Sequence, residues 1–346
     1  MSNLNQAGLA PVNAAVLPTA NSGAVALPAI VAGTQNLGAT AAVPETFVKG
    51  LVMAGAAMFL YALMDACSKA LAGAVDPWQI ILVRSIFALA LGFTLLAARR
   101  ESLSEVLRSG QPLLQIARGL TAVACMYCGI LAVTMLSLAE ALTIMYAAPI
   151  AVTLLSIPLL GEKVGVRRLS AVAVGFVGVL IVAGPGSGEL GYGLPVALAA
   201  MLLYALATVM TRRLGRTDRG LTTHFYTQFV FLGISMPMMP FVWITPSFDQ
   251  ATILIGAGMC GAVAIYLLTE AHQAAPPAVV APMDYTVILW GALLGMLVWG
   301  EAPTATTWVG ITIIAATGLY IAQREFATGP LNRFGPVYLW ARRLLG

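Results

Sequence analysis

The stretch 127–162, YCGILAVTMLSLAEALTIMYAAPIAVTLLSIPLLGE, returns in outline at 266–301 as YLLTEAHQAAPPAVVAPMDYTVILWGALLGMLVWGE, an offset of 139 residues. At that offset Tyr127 matches Tyr266, Ala132 matches Ala271, Ala139 matches Ala278, Tyr146 matches Tyr285, Leu155 matches Leu294, and Gly161-Glu162 matches Gly300-Glu301. Both copies are apolar enough to lie in lipid. A module duplicated inside a bilayer predicts two pseudo-symmetric halves that rock around a site held between them.

The rest of the chain agrees with a membrane solvent. Of its 346 residues 60% are apolar and only 9% charged, with a mean hydropathy of +0.89, whereas soluble domains carry about 25% charged residues. The runs are continuous rather than alternating, which excludes a transmembrane β-barrel. An all-α polytopic protein follows, because each crossing needs roughly 20 apolar residues. Ten helices are expected, at about 50–71, 77–98, 112–135, 138–160, 167–185, 192–211, 222–244, 251–272, 277–299 and 303–322, with Gly, Pro and Ser turns between them.

Orientation follows from the basic residues, which collect in cytoplasmic loops. With a cytoplasmic N-terminus one side receives Lys49, Arg99, Arg100, Arg108, Lys163, Arg167, Arg168, Arg212, Arg213, Arg216, Arg219, Arg324, Arg333, Arg342 and Arg343, and the opposite loops receive none. Both termini are then cytoplasmic. Five spans per half is an odd number, so the two repeats, 48–185 and 192–322, must be inverted. Residues 1–46 contain no Lys or Arg and are rich in Pro, Gly, Asn and Ala, which predicts a disordered tail. Residues 324–346 mix Tyr338, Trp340, Arg342 and Arg343 with leucines, an amphipathic tail suited to the headgroup layer. The net charge of +4 and pI near 9.0 therefore report membrane orientation and imply no nucleic acid.

Ionisable residues inside spans are costly, about 2.5–3.5 kcal/mol each at mid-helix, and so must face a partner or a wet cavity. Asp65 and Lys69, spaced four apart on one face with Tyr61, can pair directly, and Arg84 lies at similar depth. These form an expected outer gate. Arg118, Glu270 and Asp284 lie in the inner halves of their helices and form a second cluster beneath it. Tyr127, Tyr146, Tyr266 and Tyr285 supply rings to the cavity. Asp284 is the strongest candidate, two residues beyond Pro282 in a helix already loosened by Pro276 and Pro277, and Pro149 and Pro158 loosen the matching fourth helix. Irregular backbone at membrane depth is tolerated beside a water-lined cavity. His224 and His272 could relay protons, although a His near a helix end is more often an interfacial residue. Cys125-x-x-Cys128 has no second pair and no His beside it, so it reads as small apolar helix residues and no metal or cofactor is expected.

The pattern resembles the drug/metabolite transporter superfamily, in particular its EamA branch of ten helices in two five-helix repeats. The resemblance covers about residues 48–325 and is carried by ILVRSIFALALGF around Arg84, ALTIMYAAPIAVTLLSIPLLGEKV, MDYTVILWGALLGMLVWGEAP and both Gly-Glu closures. The run from Pro282 to Trp290 is similar to a proteobacterial group that includes riboflavin and S-adenosylmethionine importers, while relatives elsewhere in the branch export amino acids. The resemblance implies a central cavity open alternately to either side, with the fifth and tenth helices peripheral.

A secondary transporter of a small organic metabolite is therefore expected, not an enzyme, acting as a monomer or homodimer in the lipid bilayer with protons as candidate coupling ions. No G-x-x-x-x-G-K-[ST] loop is present for ATP. Charges of both signs with several tyrosines favour an amphipathic, zwitterionic or ring-bearing solute over a bare ion. The rivals are an intramembrane enzyme, which lacks H-E-x-x-H and G-x-S-x-G, and a non-transporting scaffold or receptor subunit, which would not need buried charges of both signs.

Overall fold

The computed structural model describes residues 45–161, 165–183, 191–275 and 280–328. The N-terminal tail, most of the C-terminal tail, Glu162, Lys163, Pro276 and Pro277 lie outside the described residues. Within them the chain is helical, with no strand: α1 Glu45–Ala70, α2 Pro77–Arg99, α3 Leu103–Val106, α4 Pro112–Met135, α5 Leu138–Met145, α6 Ala148–Leu160, α7 Val166–Ala183, α8 Gly193–Leu214, α9 Gly220–Val242, α10 Phe248–Ala274, a 3-10 turn Ala281–Tyr285, α11 Thr286–Leu294, a π-turn Gly295–Trp299 and α12 Ala305–Thr328. Seven segments, Val48–Ala70, Pro77–Arg99, Pro112–Met135, Leu138–Leu160, Gly193–Leu214, Gly220–Val242 and Phe248–Ala274, are long and apolar enough to cross a membrane. The segments Leu169–Val182, Met283–Trp299 and Ala305–Thr317 are apolar but shorter.

Helix starts are set by side chains that satisfy otherwise orphaned amides. Asp76 accepts from the Trp78 amide ahead of Pro77, and Ser137 with Glu140, like Ser247 with Gln250, closes a capping box. Glu140 is thus engaged in capping. Gly161 and Gly300 end the duplicated segments at φ +68° and +70°, the left-handed conformation that glycine adopts without a Cβ penalty.

Packing pairs helices across the repeats. α1 lies along α10 and α4 along α8, while α2 meets α9 and α7 meets α12. The first two contacts are lined with fully buried alanines, Ala54, Ala57 and Ala62 facing Ala257, Ala264 and Ala271 in one, and Ala197, Ala200 and Ala205 in the other. In lipid the hydrophobic effect does not drive helices together, so small residues that allow close approach take its place. α7 approaches α12 closely at two glycines: a Cβ on Gly175 would meet Thr317, and one on Gly178 would meet Ile313, at 2.9 Å. Outward faces carry large apolar groups such as Val174, Phe176, Val177 and Leu180.

At one end of the bundle the loop after α8 is tied to the start of α4. Asp218 accepts from Ser109 Oγ, from the Gly110 amide at 2.9 Å and from Gln115 Nε2 at 2.7 Å. Burial alone would raise this carboxyl, but the hydrogen bonds from Ser109, Gln115 and Gly110 outweigh it and hold the group below the usual carboxylate range. A folded-state value below the unfolded one gives stability that is full above the unfolded value of about 3.9 and lost as pH falls through the folded value. Thermal unfolding followed between about pH 6 and pH 3 should show a falling midpoint at the acid end that is flatter in Asp218→Asn. Equal slopes for the two proteins would remove Asp218 as the source.

Candidate functional site

Polar groups converge where α1, α2, α4, α5, α8 and the 3-10 turn face one another. Tyr61 and Asp65 share a face of α1, and the Arg84 guanidinium of α2 lies 4.0 Å from the Asp65 carboxylate, with side chains only 10% and 17% accessible. Opposite them, Arg118 of α4 donates to Thr211 Oγ1 of α8 at 3.0 Å and to Thr227 Oγ1 of α9. Tyr146 stands at the break between α5 and α6, and Asp284 and Tyr285 stand at the junction of the 3-10 turn with α11. The repeat mates Tyr146 and Tyr285 thus each mark an interruption in their span. Tyr61 lies within electrostatic reach of Asp65, Arg84, Asp284 and Tyr204, and Tyr146 within reach of Asp65, Asp284, Tyr61 and Tyr204.

The two expected clusters lie within electrostatic reach of one another, Cys125 of both Arg118 and Asp65 and Tyr61 of both Asp65 and Asp284, so that they join into one column of polar groups.

The direct pairing of Asp65 with Lys69 is also replaced. Lys69 reaches past the end of α1 to Glu301, with Nζ 2.5 Å from Oε1, while also donating to the Leu136 carbonyl at 2.7 Å and standing 5.4 Å from the Trp299 ring. The other oxygen of Glu301 accepts from the Leu138 amide at 3.0 Å. Asp65 already faces Arg84, so the long lysine stem takes the carboxylate presented by the Gly300 turn. Glu301 was expected only as a repeat closure in a loop.

Three of the expected ring and acid residues stand apart. Tyr127 stacks on Trp78 at 4.7 Å and 29° amid the cluster of Ile80, Val123 and Ile130. Tyr266 is 38% exposed alongside Met259 and Val263. At about 100° per residue this face, which Glu270 shares, is opposite the one that Ala257, Ala264 and Ala271 turn to α1. A four-residue spacing fixes a common face but not which way the face points. His224 and His272 bond the carbonyls of Ala88 and Leu268 at 3.0 and 2.7 Å. Among the described residues no cluster of His, Cys, Asp or Glu could hold a metal, and the cysteines are free thiols. A crevice of about 270 Å³ is lined by Ser68, Asp76, Pro77, Ile130 and Thr134 and by none of the column residues.

Tyr204 is the residue that the sequence reading missed. It is 56% accessible and lies within electrostatic reach of Arg118 and Asp284. A signal for it exists: LVMAGAAMFLYAL at 51–63 returns as LPVALAAMLLYAL at 194–206, which makes Tyr61 and Tyr204 repeat mates. A family model, described as the EamA-like transporter family, matches residues 48–184 and 191–322. The chain belongs to the EamA-like transporter family. It is 28% identical over 187 residues to a riboflavin transporter of Rhizobium johnstonii, covering 54% of this chain and 62% of that one, so this match spans less than two thirds of the relative. It is 21% identical over 281 residues to an S-adenosylmethionine uptake transporter of Rickettsia prowazekii, covering 81% and 95%. An uncharacterized transporter of Helicobacter pylori is 28% identical over 299 residues, covering 80% and 96%. A solved crystal structure superimposes on this EamA-like chain with a TM-score of 0.57 at 18% identity, covering 80% of this chain and 98% of that one, which supports the fold.

Proposed function

We propose that this chain is a secondary transporter that carries a small ring-bearing organic solute across a bacterial inner membrane by alternating access. Ten spans in two inverted repeats, with both termini cytoplasmic, fit the odd number of crossings per half and the one-sided placement of Lys and Arg. The observation that carries the reading is the convergence of two pairs of repeat mates, Tyr61 with Tyr204 and Tyr146 with Tyr285, on Asp65, Arg84, Arg118 and Asp284. A scaffold has no need of such a column. Lys69 with Glu301, joining α1, the α4–α5 turn and the end of the ninth span, serves as the outer gate. Riboflavin and S-adenosylmethionine, named for relatives, are the first solutes to try, and protons the first coupling ion.

Uptake of radiolabelled solutes into proteoliposomes tests transport. Asp284→Asn should reduce uptake roughly tenfold or more, the equivalent of one charge-assisted contact, without lowering the amount of folded protein. Unchanged kinetics would take Asp284 out of the site. Cysteine labelling should place the loops after the fourth and ninth spans on opposite faces of the membrane. Finding both on one face would end the inverted-repeat reading.

A further inference from the structure

Contacts between helices are made on one side of the bundle and lack their mates on the other. In an inverted repeat every contact has a counterpart at the opposite face of the membrane. α1 is matched to α8 at an offset of 143 residues, and α4 and α5 are matched to α10 and 277–284 at 139. The contacts of α1 with α4, α1 with α5 and α2 with α4 should therefore recur as α8 with α10, α8 with the 3-10 turn and α9 with α10. Among the described residues the first three are present, and the second three are not made to a comparable extent. Side chains report the same asymmetry. Lys69 of α1 holds the Leu136 carbonyl at the end of α4, and Tyr127 of α4 stacks on Trp78 of α2. Tyr266, the mate of Tyr127, is 38% exposed. Gly291 of α11 leaves no room for a Cβ beside Leu142 of α5, whereas α6 and the 3-10 turn, the matching lengths of the same two spans, make no comparable contact.

One seam is its own mate. α2 and α9 are the second spans of the two halves, so a contact between them maps onto itself and is compatible with either state. It is tied along its length. Near one end Gln79 Nε2 donates to the Ile244 carbonyl at 2.9 Å and its Oε1 accepts from the Ile244 amide at 3.1 Å. Further along, His224 bonds the Ala88 carbonyl at 3.0 Å, and a Cβ on Gly92 would meet the His224 ring at 3.0 Å. Packed contacts of this kind are either made or broken rather than stretched, which gives two discrete arrangements instead of a continuum.

We infer that the structure is the state open on the side of the loop after α8, cytoplasmic in the orientation above, and that Lys69 is the latch that holds it. In the opposite state α1 leaves α4 and α5, α8 closes on α10, and the α2–α9 seam stays in place as the pivot. The interruptions at Tyr146 and Tyr285 let the two lengths of their spans move separately. This rests on the transport reading above and adds which side is open, which contacts alternate and which persist. Lys69 is the latch because one ammonium joins α1 both to the Leu136 carbonyl and to Glu301 beyond the ninth span, so α1 parts from α4 only when both contacts are lost. Removing it biases the equilibrium toward the other arrangement.

The test uses the full chain in nanodiscs, with Cys67, Cys125, Cys128 and Cys260 replaced by alanine and spin labels on cysteines at repeat-matched positions. One pair is Ala70 with Met135, on the side of the Lys69 latch; its mate is Arg213 with Ala274, on the other side. Pulsed dipolar spectroscopy should find the Arg213–Ala274 pair the farther apart of the two without any further substitution. Lys69→Met should raise the fraction of molecules with the Ala70–Met135 pair parted and the Arg213–Ala274 pair drawn together by about tenfold or more. Glu301→Gln, which keeps the shape of the side chain, should act in the same direction. Equal separations in the starting protein, or a longer one for Ala70–Met135, would overturn the inference. So would a parting of Ala70 from Met135 in both variants with no approach of Arg213 to Ala274, since that is local loosening and not an exchange. If proteoliposomes take up solute while the two separations are equal, transport stands and the assigned state falls. If the separations exchange but a broad panel of solutes shows no uptake, the switch stands and the transport reading falls.

Discussion

Lys69→Met is expected to destabilise the protein by about 2–4 kcal/mol, toward the lower end for a broken buried ion pair because Glu301 keeps 27% of its surface. The substitution leaves the Glu301 carboxylate on the Leu138 amide with its cation gone, removes the cation from over the Trp299 ring and frees the Leu136 carbonyl as well. Because the penalty comes from the stranded carboxylate, Lys69→Met combined with Glu301→Leu should recover much of the loss. Reversible unfolding in mixed micelles reads both variants. A single substitution that costs less than about 0.5 kcal/mol, as exposed pairs do, would show that this contact is screened. Accessibility of a cysteine placed near Leu136 should rise in the single variant if the pair also closes the outer side.

Tyr204→Ala should weaken solute affinity by roughly five- to a hundredfold, from about 1–3 kcal/mol for one stacked ring. Little stability should be lost, since the side chain is 56% accessible. Tyr61→Ala should weaken affinity in the same range but also cost stability, because Tyr61 packs with Ala57, Met58 and Ala62 in a buried cluster. Isothermal titration in nanodiscs, paired with thermal unfolding, separates the two effects. Full affinity in Tyr204→Ala would mean that the ring does not touch the solute.

The helical class and most of the spans could be read directly from hydropathy, since a run of apolar residues between Gly and Pro turns has one stable form in lipid. Seven spans reach full length in the structure, and the segments around Val172, Leu293 and Ile311 are shorter. The repeat matched four tyrosines alike, and only the structure separates Tyr146 and Tyr285, at the interruptions of their spans, from Tyr127 and Tyr266. Direction was harder to read. Glu270 and Tyr266 carry the same spacing signature as Asp65 and Tyr61 but lie on the outward face of α10, because which face is buried depends on the alanines that meet α1. Long-range partners were invisible for the same reason. Lys69 and Glu301 are 232 positions apart, and nothing local distinguishes that pairing from the four-residue one.

The duplicated rings with unduplicated ions have a kinetic consequence. A carrier whose two halves were alike in every respect would present the same surface to a solute arriving from either compartment, and half-saturation would be equal from both. Here Arg118 and Asp284 are matched at the 139-residue offset by Ala257 and Met145, so the two halves are not alike and a solute meets different side chains from the two compartments. Half-saturation concentrations and turnover then differ between influx and efflux, while their ratios stay bound by the solute's own equilibrium across the membrane.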